Sequence, residues 1–171
     1  ENTLQWRFNR KRLEAESVRD AIITVSGGMQ QVNGGSILTY KDRQYVANTS
    51  KRGGVDYDRP IRAVYLPVVR SSMYELFTAF DLPDPSVPQG DRNASVIAPQ
   101  ALFMMNGSVV LQHTRKLAER LLAMPLGDDG ARVREAYELA LSRPATGAEV
   151  DQALTFLGRI EKELPADAKY K

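Results

Sequence analysis

Apolar residues recur every three or four positions through most of the second half of the chain, which is the spacing of one face of a helix. The pattern predicts three helices, at about 108–124, 129–142 and 146–164. Thr146 followed by Glu149 is a capping-box pattern at the start of the third helix. Because the connections are short, the helices are expected to be antiparallel neighbours in a three-helix bundle over 108–164, with a tail at 165–171.

The first part of the chain has a less regular pattern. Residues 1–26 are predicted to form a lead-in that packs on the core, followed by a helix that begins at about Asn9. Residues 27–59 contain three Gly-Gly pairs and are predicted to be an irregular segment. Within that segment, 37–40 and 44–47 are expected to pair as a small β-hairpin.

The central region, residues 60–107, mixes apolar runs with polar residues. An extended segment is predicted at 63–69, where β-branched and aromatic residues surround a proline. Helices are predicted at about 71–80 and from Pro99 to Asn106, separated by a proline-rich turn. The expected fold is therefore a mainly α-helical domain with a small extended or hairpin component.

Several polar side chains of the central region stand beside residues that should be buried, and they form the candidate ligand-binding set. They are Arg62, Tyr65, Arg70, Arg92, Asn93, Gln100 and Asn106. In one interpretation the arginines pair with Glu16, Asp20, Asp81 or Asp84 and the amides cap helix ends. In the other, the set lines a cleft and binds a carboxylate, a sulfate or a sugar. The first is preferred, because ion-pair networks also produce such patterns.

The amino-acid composition argues against several kinds of binding and metal site. Lys and Arg number 23 and Asp and Glu 21, and this near balance argues against a dedicated nucleic-acid binder. The chain has no cysteine, so it can form no disulfide, thiolate metal site or c-type haem attachment motif. His113 is the only histidine and is expected to be a partly exposed structural residue, so no His-based metal site is predicted. No cofactor is expected, and the length fits one domain over 1–171.

A catalytic alternative would need two carboxylates that flank a glycosidic bond. The available acids are Glu16, Glu75, Asp81 and Asp84. Their spacing does not fix the separation that such chemistry requires, so no residue is assigned a catalytic role.

No apolar run is long enough to span a bilayer. Because the chain begins with Glu1 rather than Met, we expect it to be an excised piece or a processed product.

Sequence motifs of the central region resemble a known family. They are R-x-V-Y-L-P-V-x-R from Arg62, F-D-x-P-D-P from Phe80, and R-N-x-S-x-x-x-P-Q-A-L-F-x-x-N from Arg92. With the outer segments 9–20 and 136–149, this combination resembles the planctomycete-type domain of unknown function numbered 1553, from about Trp6 to Leu157. The resemblance implies a C-terminal module of large secreted or periplasmic bacterial proteins, often beside a companion domain of unknown function and cytochrome-c-like domains. It implies no established activity and no catalytic residues.

These observations together predict a non-catalytic auxiliary or interaction module of a larger exported bacterial protein. By the resemblance, its location is periplasmic or extracellular and its partners are the other domains of that protein. Glycans are a second class of partner to consider, whereas nucleic acid is not expected. The alternative is part of a polysaccharide-binding or polysaccharide-degrading enzyme with the candidate set lining its cleft.

Overall fold

The structure is a computed structural model that describes residues 3–4, 6–7, 11–32, 56–70 and 73–164. Within these residues the regular secondary structure is helical, which confirms the prediction of a mainly helical chain. The helices are α1 Ala15–Val25, α2 Glu75–Ala79, α3 Ala98–Asn106, α4 Ser108–Ala123, α5 Asp129–Leu141 and α6 Gly147–Glu163. The predicted hairpin of 37–40 with 44–47 lies outside the described residues.

The chain forms two compact units, residues 1–114 and 115–171, and each is described by itself. In the first unit, α1 packs against α2 and against a 3₁₀ turn at Ala63–Tyr65, and α2 packs against α3. Apolar side chains from these elements form its core: Ala15, Ile61, Ala63, Leu66, Leu76, Phe77, Phe103, Val109 and Val110. The single domain over 1–171 stays a prediction.

Helix α1 begins at Ala15, later than the predicted start near Asn9. The reason is a long-range contact: the guanidinium of Arg12 donates hydrogen bonds to Ser95 O and to Gln100 Oε1, so residues 11–14 run outside the helix. This also removes a cation from the first helical turn, where the helix dipole disfavours positive charge. Ahead of it, Trp6 is 72% exposed, so the prediction that the lead-in packs on the core is wrong for this residue.

A fully buried arginine joins α1 to residues 57–61. The Nε and Nη2 atoms of Arg19 donate to the carbonyl oxygen of Tyr57 at 3.0 and 2.7 Å, and Nη2 also donates to Arg59 O at 2.5 Å. Its Nη1 atom donates to Ile61 O at 2.7 Å and to Asp20 Oδ1 at 3.2 Å. These contacts use all five N–H donors of the guanidinium. Arg19 thereby fixes the path of residues 57–61 over α1.

Replacing this arginine should destabilise the first unit. Arg19→Met should lower the free energy of unfolding by about 3 kcal/mol, because three carbonyl groups lose their donor. The matched control is Arg62→Met, since Arg62 is exposed and lies 4.0 Å from the same Asp20; we expect a loss below about 1 kcal/mol. Urea unfolding followed by circular dichroism measures both, and equal losses would contradict the assignment.

The only histidine is buried, so the prediction of a partly exposed histidine is wrong. His113 of α4 is 2% exposed, and its Nδ1 atom lies 2.7 Å from Ser26 Oγ. Ser26 Oγ also lies 2.7 Å from Ile23 O, so this hydroxyl joins the histidine to the end of α1. A Cβ atom at Gly28 would lie 3.2 Å from His113 Cε1. The histidine ring therefore packs against the end of α1 as a structural residue.

In the second unit, α5 packs against α6 and a polar clamp holds the turn between them. Arg143 donates to the two carboxylate oxygens of Glu149 at 2.9 and 2.6 Å. Glu149 Oε2 accepts from the backbone nitrogen of Thr146 at 2.8 Å, and Glu149 N donates to Thr146 Oγ1 at 3.3 Å, which forms the predicted capping box. The antiparallel three-helix arrangement stays a prediction.

The hydrogen bonds of the clamp predict a low pKa for Glu149. The hydrogen bonds from Arg143, and then the backbone N–H of Thr146, lower the pKa of Glu149 from 4.5 to about 2. Because the folded pKa is depressed, the stabilisation is present above pH 4.5 and is lost as the pH falls through about 2. Arg143→Ala should return the pKa toward 4.5, measured by carbon NMR of the carboxyl group. Arg159→Ala, on the same helix as Glu149, is the control; an equal shift of the Glu149 pKa in that variant would contradict the role of Arg143.

Candidate functional site

The carboxylate of Asp81 is the centre of a polar network in the central region. It accepts a hydrogen bond from Ser95 N at 2.8 Å and contacts Ser95 Oγ at 2.8 and 2.9 Å. The Ser95 backbone N–H, and then the Ser95 hydroxyl, lower the pKa of Asp81 below its usual value. Asp81 has a φ of 61°, in the left-handed region that side chains other than glycine seldom adopt. Its carboxylate thus binds a residue 14 positions later in the chain.

Gln100 is the buried member of the same network, at 5% exposure. Its Oε1 atom accepts from Arg12 Nη2 at 2.6 Å and from the backbone nitrogen of Ile97 at 3.4 Å. Its Nε2 atom donates to Asp81 Oδ2 at 3.5 Å and to Ser95 Oγ at 3.3 Å. Both lone pairs and both hydrogens of the amide are thus engaged. Gln100 fixes the start of α3 against Asp81, which follows α2.

Arg92 forms a second polar cluster with the start of α1. Its Nη1 atom lies 2.8 Å from Glu16 Oε2 and 3.3 Å from Glu14 Oε2, and Nη2 donates to Glu16 Oε1 at 3.1 Å. Burial alone would raise the pKa of Glu16, but the hydrogen bond and charge of Arg92 bring it below the usual value. The predicted pairing of a central arginine with Glu16 is confirmed. Both side chains are partly exposed, so the pair is a modest source of stability.

The other members of the candidate set are not brought into these networks by the described contacts. Arg62 is exposed and lies 4.0 Å from Asp20, and Tyr65 is half-buried in the 3₁₀ turn. Arg70 and Asn93 are exposed. Asn106 is also exposed and donates to Leu102 O at 3.1 Å. The sequence-based expectation that Asn93 and Asn106 lie in buried surroundings is wrong.

The candidate set omitted the residues that organise the networks. Arg12, Asp81 and Ser95 all stand in the sequence motifs; Asp81 is expected there as a partner for an arginine, and Ser95 is one of the polar residues beside the apolar runs of the central region. The sequence does contain a signal for this contact. A carboxylate shortly after one helix and a serine shortly before the next can form a hydrogen bond that closes the loop between the two helices. The role of the candidate set in ligand binding stays a prediction.

The family model of PSD1, described as a protein of unknown function (DUF1553), matches residues 1–157. This chain belongs to that family. A search of curated proteins finds no match, and a search of solved structures finds none either. The match covers α1 to α5 and most of α6, including both polar networks.

The described part of this PSD1 domain has neither a cluster of metal ligands nor a membrane-spanning helix. It contains no group of three or more His, Cys, Asp or Glu side chains that could hold a metal ion. None of its described helices is long and apolar enough to cross a bilayer. The hydrogen-bonding groups of the two networks are directed at each other, so the arrangement as it stands connects elements of the fold.

The ion pair of Arg92 predicts a pH-dependent stability. At pH 7, Arg92→Ala should cost up to about 1 kcal/mol, or about 2–4 °C in melting temperature. Because the folded pKa of Glu16 is lowered, this difference is present above its usual value of 4.5 and should shrink as the pH falls below it. The adjacent, exposed Asn93→Ala is the control and should cost less than about 0.5 kcal/mol. A loss for Arg92→Ala that is as large at pH 3 would contradict this origin.

Proposed function

We propose that this PSD1 domain is a non-catalytic interaction module of a larger exported bacterial protein, and that it docks on another domain of that protein. The proposal rests on an exposed apolar surface of α3 and on the internal pairing of the hydrogen-bonding groups in the polar networks. The parent protein and its exported location come from the resemblance of the motifs to secreted bacterial modules.

The outward surface of α3 carries the proposal. This helix buries Gln100 and Phe103 and exposes apolar residues at helical spacing on its other side. They are Ala98, Ala101, Leu102 and Met105, here called the α3 outer face. Leu102 is 59% exposed and Met105 is 70% exposed. Contiguous exposed apolar surface marks interaction sites, because its burial releases ordered water.

The chemistry of this face suits another protein surface. Methionine is unbranched and polarizable, so Met105 can adapt to an irregular apolar partner. Val96, just before the helix, is 90% exposed and extends the apolar character toward the loop. Domains within one chain need only a modest interface to associate, because their linkage raises the local concentration of each for the other.

The non-catalytic part of the proposal rests on the polar networks. Gln100 has no hydrogen-bonding position left over, and the guanidinium of Arg92 is held by Glu16 and Glu14. A ligand would have to displace these internal partners before it could bind the same groups. The networks are therefore better suited to scaffolding than to substrate binding.

Methionine oxidation tests the docking surface. Met105 should react with hydrogen peroxide quickly in the isolated domain and at least about fivefold more slowly in the full-length parent protein, because docking covers the α3 outer face. Leu102→Asp in the parent should restore fast oxidation by disrupting the apolar contact. Met124, at the end of α4 and half-buried, is the internal control for peroxide activity. Mass spectrometry of tryptic peptides measures both, and equal rates at Met105 in both proteins would overturn the proposal.

A thermal-shift screen separates this function from the polysaccharide alternative. A ligand that binds only the folded state raises the melting temperature. We expect no stabilisation by neutral or anionic glycans. A glycan that stabilised the wild-type domain but not Arg92→Ala would favour the alternative of a carbohydrate site.

A further inference from the structure

The loop between α2 and α3 has its two ends tied together. Asp81, which follows α2, accepts the backbone and side-chain hydrogen bonds of Ser95, which lies shortly before α3. A loop of this length with adjoining ends is an Ω-loop, a type that is often functional. Residues 83–94 are here called the strap; Leu82, just before it, packs on the core and its backbone nitrogen donates to Phe77 O at 2.9 Å.

The strap is held mainly at a few points. Residues 86–94 are exposed, and hydrogen bonds such as those from Ser86 N and Val87 N to Asp84 are internal to the strap. Ion pairs from Arg92 to Glu14 and Glu16 attach it to the start of α1. Segments with exposed backbone and few buried side chains open at a lower free energy than the core around them.

We infer that the strap is a conformational element that opens as a unit while the rest of the first unit stays folded. Two latches hold it closed. The first is the closure of Asp81 on Ser95, and the second is the ion pair of Arg92 with Glu16.

Opening would expose hydrogen-bond donors. Asp81 has a φ of 61° because it follows the end of α2, where Leu82 N donates to Phe77 O at 2.9 Å, so this conformation belongs to the helix end and is kept when the strap opens. With Asp81 withdrawn, the N–H and hydroxyl of Ser95 and the amide hydrogens of Gln100 lose their shared acceptor. The guanidinium of Arg12 lies beside them, so the open form presents a cluster of donors next to the exposed Val96.

The first latch is closed at neutral pH. Hydrogen bonds from Ser95, and to a lesser degree the charge of Arg12 and the amide of Gln100, keep the pKa of Asp81 below its usual value. The carboxylate is therefore ionised across the neutral range. Opening at neutral pH requires a competing contact, or a substitution that removes the charge.

Trypsin provides a specific reporter of opening. Arg92 is the only lysine or arginine within the strap, so cleavage between Arg92 and Asn93 reports the open form. Arg19 is fully buried in the same unit, so cleavage after it reports unfolding of that unit. Asp81→Asn should raise the rate of cleavage after Arg92 about tenfold without raising the rate after Arg19, because a charged hydrogen-bond acceptor is lost. Asparagine tolerates positive φ, so the substitution adds little backbone strain.

Asp84→Asn is the matched control. Asp84 lies in the strap, loses the same charge on substitution, and has a hydrogen bond to Ser86 N within the strap. Its rate of cleavage after Arg92 should stay within about twofold of the wild type. Hydrogen exchange is the second readout: amides of 86–94 should exchange faster in Asp81→Asn, whereas those of α1 should not. Parallel increases after Arg92 and Arg19, no increase at either, or an equal effect of Asp84→Asn would each overturn the inference.

Discussion

The buried guanidinium of Arg19 is the constraint on which the first unit depends. Arginine stays charged, so its burial is tolerated only if every N–H finds an acceptor and the charge is balanced. Asp20 and the carbonyl groups of residues 57–61 meet that requirement. Those carbonyls can face α1 only if the segment follows an irregular path. That path in turn places Ile61 and Ala63 in the core, so apolar packing and the polar anchor specify the same conformation.

The network around Gln100 also satisfies every hydrogen-bonding group of one buried side chain, but its other members are less buried. Here a side-chain amide, rather than a guanidinium, has all of its hydrogen-bonding positions engaged. Arg19 and Gln100 differ in the groups that accept their hydrogen bonds. Arg19 donates largely to main-chain carbonyls beneath the surface, whereas Gln100 donates in part to Asp81, a half-buried carboxylate next to an exposed loop. A stable anchor and a releasable closure therefore occur within one unit.

The parts of the fold that could be predicted are those decided by local sequence. The start of α6 follows from the capping box at Thr146, and α3 follows from a proline at the first turn. The start of α1 could not be predicted, because Arg12 is held by a residue 88 positions away. The candidate site shows the same division. That an arginine of the central region pairs with an acid could be predicted, but the contact of Gln100 with Asp81, 19 positions earlier, could not, because it depends on the fold.

A region rich in specific motifs need not be a catalytic site. Each paired polar group must give up an internal partner before it can bind a ligand, and that partner is present at a high effective concentration fixed by the fold. The α3 outer face has no such competitor in the contacts described, and its burial is favourable in itself. Association through apolar surface therefore costs this domain less than recognition through its polar motifs. Val96 follows Ser95 directly, so the end of the strap is the place where these two kinds of surface adjoin.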